Sequence, residues 1–125
     1  MKRNKLLLVD DEVDITASLS EGLQKHGFEV DVFNEPRKSL SQFKPNYYDS
    51  IVLDVRMPQM NGFLLAREIW ARDHNARICF LSAFEIYESE ANSIFASFKT
   101  HCFIKKPITP SDLVKHLRAH VLPVH

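Results

Sequence analysis

The chain has 125 residues, of which 45% are hydrophobic and 26% charged, a balance typical of one soluble globular domain. Its 16 basic and 16 acidic residues cancel, so no excess of positive charge favours nucleic acid or an anionic membrane surface. No apolar stretch approaches the roughly 20 residues of a membrane span, and no signal-peptide cleavage site follows the basic start. We therefore expect a single domain over residues 1–125, without an output domain in this chain, located in the cytoplasm.

Strand-like and helix-like segments alternate along the whole chain. Five short runs rich in β-branched and apolar residues predict strands. The predicted strands are Leu6 to Val9, Phe28 to Phe33, Ser50 to Asp54, Ile78 to Ser82 and Cys102 to Ile104. Runs that are apolar on both faces, such as Leu6 to Val9, are typical of strands inside a parallel sheet.

The segments between the strands are amphipathic and predict crossover helices. The predicted helices are Val13 to His26, Arg37 to Phe43, Phe63 to Asp73, Ala83 to His101 and Pro110 to about His120. The residues expected to share the packed face of the first helix are Val13, Thr16, Leu19 and Leu23. We expect Gly27 to end this helix, Pro36 to open the second and Asn61 to cap the third. The repeated β-α order implies a parallel sheet with helices on both faces.

Three acidic residues follow two of the doubly apolar strands. Asp10 and Asp11 come directly after the first strand, and Asp54 closes the third. Because ligands of open α/β sheets bind at the carboxyl ends of the strands, we expect these carboxylates to meet at one edge. Crowded carboxylates repel one another, and a bound cation would neutralise their charge. Because the available ligands are oxygen atoms, Mg²⁺ is favoured over zinc.

Two further polar residues end the strands that come next in the chain. Ser82 closes the fourth strand, and Lys106 precedes Pro107 just after the fifth. A carboxylate nucleophile, a divalent metal, a hydroxyl and an ammonium are the groups needed to bind a phosphoryl group on Asp54. Lys105 should alternate to the other side of its strand, so Lys106 is the lysine expected in the site.

Taken together, these motifs resemble a response-regulator receiver domain (CheY-like) of two-component phosphorelay signalling, over essentially the whole chain. The motifs that carry the resemblance are Asp10-Asp11, Asp54 with Met57-Pro58 and Gly62, Ser82-Ala83 and Phe103-Ile104-Lys105-Lys106-Pro107. The resemblance implies a flavodoxin-like, doubly wound α/β fold, with a five-stranded parallel sheet in the order 2-1-3-4-5 and five flanking helices.

The resemblance also implies a role for each acid. Asp54 would accept a phosphoryl group from a phosphohistidine of a sensor histidine kinase or phosphotransfer protein, with Mg²⁺ as cofactor. Asp11, Asp54 and the backbone carbonyl of Arg56 would bind Mg²⁺ directly, and Asp10 would act through a metal-bound water. The domain would be a signalling switch rather than an enzyme, promoting only its own phosphorylation and dephosphorylation.

Phosphorylation would then change a protein-binding surface. Ser82 and Lys106 would be drawn towards the phosphoryl oxygens, and Phe103 on the fifth strand would reorient in response. The surface built from the fourth predicted helix, the fifth strand and the last helix would bind a downstream protein of unknown identity, and a phosphorylation-dependent dimer is a further expectation. We expect no contact with nucleic acid or membrane through this domain.

Bulky residues occupy the two positions that flank the phosphoryl group in the family and tune the attack of water on it. Arg56 lies two residues after the acceptor, and Phe84 lies two after the hydroxyl residue. We expect both to shield the acylphosphate from water and so to slow its hydrolysis. The region from Phe98 to Cys102 lacks the Gly-Ala turn that usually precedes the fifth strand in the family.

Two alternative functions remain open at this point. The first is an interaction module on a receiver scaffold that needs no phosphorylation, suggested by the atypical stretch from Phe84 to His101. The second is an aspartate-dependent phosphatase, which needs a second acid two residues after the nucleophile, where this chain has Arg56.

Two further residue pairs have simpler interpretations. Cys79 and Cys102 lie in or beside predicted strands, and we expect buried free thiols. His116 and His120 have the spacing of a metal-binding pair on a helix, but no third ligand is evident from the sequence.

Overall fold

The computed structural model describes residues 4–83 and 102–121. The elements in chain order are β1 (Asn4–Val9), α1 (Val13–Lys25), β2 (Phe28–Phe33), α2 (Pro36–Ser41), β3 (Ser50–Asp54), α3 (Gly62–Arg72), β4 (Ile78–Ser82), β5 (Phe103–Lys105) and α4 (Pro110–His120). All five predicted strands are present. Four of the five predicted helices are found among the described residues, and the predicted helix Ala83 to His101 lies outside them apart from Ala83.

The strands form one parallel sheet in the order β2-β1-β3-β4-β5, which confirms the predicted topology. Val9 lies opposite Leu53, and Asp54 lies opposite Leu81. The carboxyl ends of β1, β3 and β4 therefore meet at one edge of the sheet. This edge is where open parallel sheets bind ligands.

Two hydrophobic cores cover the two faces of the sheet. Consecutive residues of β1 alternate between them, with Leu6 and Leu8 facing α1 and α4, and Leu7 and Val9 facing α2 and α3. All four side chains are fully buried, as expected for an inner strand packed on both faces. The sheet is thus held from both sides, and the positions of its strand ends are set by packing.

The helix ends largely follow the local sequence signals. Gly27, just after α1, has a φ of 91° that glycine adopts without strain, and Pro36 opens α2. Asn61 caps α3 by accepting a hydrogen bond from the backbone N–H of Leu64 at 2.9 Å. The prediction for Val13 is wrong: its side chain is 61% exposed, because it occupies the first turn of α1 and points away from the core.

The prediction that the cysteines are free thiols is also wrong. Cys79 of β4 and Cys102, directly before β5, form a disulfide with a Cα–Cα distance of 4.7 Å. The register that pairs Phe80 with Phe103 places the two cysteines opposite each other one residue earlier, on the same face of the sheet. Their separation of 23 residues in sequence hides this proximity.

None of the helices in the described ranges is long and apolar enough to cross a membrane.

We expect the disulfide to stabilise the fold by restricting the unfolded chain. Closing a loop of this length should contribute about 3 kcal/mol to the free energy of unfolding. Urea unfolding of the wild type should therefore shift to lower urea after reduction, whereas the Cys79→Ser/Cys102→Ser double variant should not respond to the reductant. Alkylation of two thiols in denatured, unreduced protein would contradict the disulfide.

Candidate functional site

The structure brings the three predicted carboxylates together. Asp10 follows β1 and Asp54 ends β3, which are neighbouring strands, and Asp11 lies beside them. One carboxylate oxygen from each of the three lies within 4.8 Å of the others. Asp10 and Asp54 are buried and Asp11 is half-buried. The cluster therefore has an inner pair of acids and one acid at its rim.

Lys106 supplies the positive charge next to these acids. Its ammonium lies 2.7 Å from Asp10 Oδ2 and 3.4 Å from Asp54 Oδ1, and its side chain is only 7% exposed. A third contact, at 3.1 Å, joins the ammonium to Glu12 Oε1. Lys105 is exposed, as the alternation along β5 predicts. Lys106 therefore lies inside a ring of three carboxylates.

The backbone around Lys106 ties this residue to the end of β4. Its N–H donates a hydrogen bond to the carbonyl oxygen of Ser82 at 2.8 Å, and the peptide bond to Pro107 is cis. Ser82 is buried. The N–H of Val55 donates to the carbonyl oxygen of Leu81 at 3.0 Å. Ser82 is therefore placed beside the strand end that carries Asp54.

The loop after Asp54 folds back onto the same strand end. Gly62 N–H donates to the Val55 carbonyl oxygen at 2.8 Å. A Cβ atom at Gly62 would lie 3.0 Å from the carbonyl carbon of Asp54 and would overlap its carbonyl oxygen. Only glycine allows this close approach. Met57 is buried in the loop, and the Arg56 side chain is exposed.

Two contributors to the site were not predicted from the sequence. Glu12 contacts Lys106, and Asn34 donates a hydrogen bond to the backbone carbonyl of Asp10 at 2.8 Å and to the Thr16 hydroxyl at 2.9 Å. A glutamate next to two aspartates is a visible signal of a larger acidic group. Asn34 carries no such signal, because its contact depends on β2 lying beside β1.

The two oxygens of the Asp10 carboxylate differ in their contacts. Oδ1 accepts a hydrogen bond from the backbone N–H of Glu12 at 3.0 Å. Oδ2 is buried and forms an ion pair with the Lys106 ammonium at 2.7 Å, but it accepts no hydrogen bond from the described residues. A buried acceptor of this kind is what a bound water or ion would satisfy.

The electrostatics of the site follow from burial and from crowding. Burial raises the pKa of Asp54, the Asp10 charge raises it further and Lys106 lowers it, with a result of about 7 against an ordinary value of 3.8. Burial would lower the pKa of Lys106, but its close contacts to Asp10 and Glu12 and the nearby negative charges raise it to about 12. Lys106 therefore stays positively charged, and burial together with the nearby negative charge disfavours the ionised form of Asp54.

Phe103 belongs to a group of three aromatic rings on the α3 side of the sheet. Its ring stacks on Phe80 with 5.2 Å between centroids and lies 6.2 Å from Phe63. The side chain is half-buried. Phe84 lies outside the described residues.

His116 and His120 stack with 6.0 Å between ring centroids. Over residues 4–83 and 102–121, only one group of three or more histidine, cysteine, aspartate or glutamate side chains is close enough to share a metal ion. It consists of Asp10, Asp11 and Asp54. The structure therefore gives the histidine pair no further metal ligand in the part of the chain it describes.

Comparisons with known proteins agree with this geometry. The family model described as the response regulator receiver domain matches residues 6–118. The transcriptional regulatory protein PrrA of Mycobacterium tuberculosis is 31% identical over 115 residues, covering 92% of this chain and 48% of PrrA. The chemotaxis protein CheY of Thermotoga maritima is 32% identical over 114 residues, covering 90% of this chain and 93% of that protein. The chain thus spans about half the length of PrrA and nearly all of CheY.

The fold is also similar to that of a solved response regulator. The response regulator TrrA of Thermotoga maritima, solved in complex with Mg²⁺ and a beryllium fluoride, superposes with a TM-score of 0.77 at 30% identity. The match covers 93% of this chain and 97% of TrrA.

The raised pKa of Asp54 predicts a pH-dependent stability in metal-free buffer. A carboxyl whose pKa is higher in the folded state contributes stability that is complete below about pH 4 and is lost as pH rises through about 7. Asp54→Asn removes the charge, so we expect its free energy of unfolding at pH 8 to exceed that of the wild type by an amount on the order of 1 to 3 kcal/mol. At pH 5 this advantage over the wild type should be smaller.

Urea unfolding at the two pH values, with chelator present, measures this difference. Asp14→Asn, which removes an exposed acid of α1, serves as the control and should show little change. An Asp54→Asn variant with the same stability difference at pH 5 and pH 8 would contradict the assignment.

Proposed function

The chain belongs to the response regulator receiver family, and we propose on this basis that Asp54 accepts a phosphoryl group from a phosphohistidine in a Mg²⁺-dependent step. The observation that carries the proposal is the convergence of Asp10, Asp11, Asp54 and Lys106 at one sheet edge from distant parts of the chain. Ser82 ends the neighbouring strand. The donor would be a sensor histidine kinase or a phosphotransfer protein.

The residues of the cluster fit a magnesium ion. All the side-chain ligands are carboxylate oxygens, which Mg²⁺ prefers. We infer that Asp11, Asp54 and the backbone carbonyl of Arg56 would hold the ion directly. Asp10 would act through a metal-bound water, as the family resemblance implies, and its buried Oδ2 is an acceptor that no hydrogen bond from the described residues satisfies. TrrA, one of the similar proteins, was solved with Mg²⁺ and a beryllium fluoride.

The transfer itself is a substitution at phosphorus. An Asp54 carboxylate oxygen attacks the phosphorus atom, a P–O bond forms, and the P–N bond to the donor imidazole breaks, so that imidazole is the leaving group. Bound Mg²⁺ would neutralise charge on the phosphoryl oxygens. Lys106 and Ser82 would donate hydrogen bonds to those oxygens, and Lys106 is held charged for this task by the surrounding acids.

Phosphorylation would be read out through the strands that carry these donors. Movement of Ser82 and Lys106 towards the phosphoryl group would displace β4 and β5. The ring of Phe80 on β4 stacks on the ring of Phe103 on β5. Reorientation of Phe103 would then change the surface next to β5 and α4. The domain would act as a two-state protein-binding switch, and a phosphorylation-dependent dimer is one form of that output.

We propose a phosphodonor protein, a downstream protein and a cytoplasmic location as the setting of this switch. An apolar cavity of about 410 Å³ adjoins Lys106 and is lined in part by Ile15, Leu19 and Ile108, and the exposed Val13 lies on the same helix. This surface would receive the phosphodonor.

Two competing functions have less support. A phosphorylation-independent interaction module would not need the full set of acids, lysine and hydroxyl that this chain keeps at one edge. A phosphatase would need a second acid at the position of Arg56, which is an exposed base.

Phosphate incorporation from a small phosphodonor tests the proposal. We expect radiolabel from acetyl phosphate to enter the wild type only when Mg²⁺ is present, and to fall about a hundredfold or more in Asp54→Asn, because that variant lacks the nucleophile. Asp14→Asn, an exposed acid near the site, should label like the wild type. Label retained in Asp54→Asn would refute Asp54 as the acceptor.

We further propose that Arg56 and Phe84 shield the acylphosphate from water. Replacing Arg56 with Asn should speed phosphate loss by about two- to tenfold, because a bulky side chain no longer covers the phosphoryl group. Phe84→Ala should act in the same direction. Arg67→Asn, the same change at an exposed position of α3, is the matched control. An unchanged phosphoryl half-life in Arg56→Asn would overturn the shielding role.

A further inference from the structure

Glu12 holds one side of the Lys106 ammonium. Its carboxylate oxygen Oε1 lies 3.1 Å from Lys106 Nζ, and its side chain is 55% exposed, whereas the lysine is 7% exposed. The backbone of Glu12 is fixed, because its N–H donates to Asp10 Oδ1 and its carbonyl accepts from Thr16 in the first turn of α1. Glu12 therefore reaches Lys106 from the solvent side at a defined position.

Acidic groups surround the Lys106 ammonium. Three carboxylates lie within 3.4 Å of it: Glu12 accepts a hydrogen bond, and Asp10 and Asp54 form ion pairs with it. A phosphoryl oxygen on Asp54 would need a donor of the same ammonium, which has only three. The phosphoryl group would therefore compete with these carboxylates for Lys106.

Glu12 is the carboxylate that can give up its contact at the lowest cost. Asp10 is fully buried, so withdrawing the lysine from it would leave a buried, uncompensated charge. The half-exposed carboxylate of Glu12 can be hydrated by water instead. Until it is displaced, however, Glu12 competes for the lysine and adds negative charge in the path of an anionic phosphodonor.

We propose that Glu12 is a positioning residue that competes with the phosphoryl group for Lys106 and so limits how readily Asp54 is phosphorylated. The inference rests on the proposed phosphoacceptor function of Asp54. Glu12 touches neither the phosphoryl group nor the metal, and it acts through Lys106.

Asp14 provides a matched control for the charge of Glu12. It lies two residues further along the chain, is exposed, and lines the same cavity beside Lys106. Within the described ranges, no ion pair between Asp14 and Lys106 is found. Asp14→Asn therefore removes the same charge from the same helix turn without removing a contact to the lysine.

Fluoroberyllate binding at saturating Mg²⁺ measures the competition directly. We expect Glu12→Gln to bind fluoroberyllate about two- to fivefold more tightly than the wild type, the range of one partly exposed ion pair. Phosphorylation by acetyl phosphate should become faster by a similar factor. Part of the gain should remain in high salt because the Lys106 side of the contact is buried and is screened less, whereas any smaller effect of the exposed Asp14 should be screened more fully in Asp14→Asn.

A double-mutant cycle ties the effect to the lysine. In a Lys106→Met background, Glu12→Gln should change fluoroberyllate affinity no more than Asp14→Asn does, because the contact partner is gone. Weaker binding by Glu12→Gln, an effect equal to that of Asp14→Asn, or a gain that survives in Lys106→Met would each overturn the inference while leaving the phosphoacceptor function intact. A wild type that binds no fluoroberyllate with Mg²⁺ would refute that function and this inference together.

Discussion

The structure depends on the balance between buried carboxylates and the Lys106 ammonium at the carboxyl edge of the sheet. Asp10 and Asp54 are taken out of water on adjacent strands, and Asp10 is compensated by an ammonium 2.7 Å away. Compensation of Asp54 is incomplete, since its pKa remains raised to about 7. The negative charge of the site is therefore only partly neutralised, which favours binding of a divalent cation. The same cation would neutralise the oxygens of a phosphoryl group.

The rest of the fold keeps these charges in place. Side chains of β1 are buried on both faces of the sheet, so the strand cannot shift without exposing part of a core. Asn34 fixes the backbone at Asp10 from the neighbouring strand β2. Gly62 lets the loop after Asp54 close against the acceptor strand. The repulsion among the acids is tolerated because the surrounding packing gives them no room to separate.

The strands β4 and β5 connect the charged site to the surface that would report its state. Ser82 and Lys106 are linked through a backbone hydrogen bond of 2.8 Å, and Phe80 and Phe103 stack on the same pair of strands. Cys79 and Cys102 join these strands covalently on the opposite face. Under the proposed function, a displacement of Lys106 would be transmitted to Phe103 through this short, closely packed path.

The sequence by itself determined the strands and the acids, serine and lysine at their ends, because each is encoded locally. The family resemblance of these motifs, and not the local pattern, supplied the strand order. Doubly apolar runs mark inner strands, and acids, a serine and a lysine at their ends mark the ligand edge. Only the tertiary structure decided the contacts between residues distant in sequence. The Cys79–Cys102 bond, the anchoring of Asp10 by Asn34 and the exposure of Val13 arise from strand register and helix orientation. Glu12 illustrates the difference between what the sequence shows and what the fold decides. Its charge is evident from the sequence, but its partner Lys106 is 94 residues away and is identified only in the folded structure.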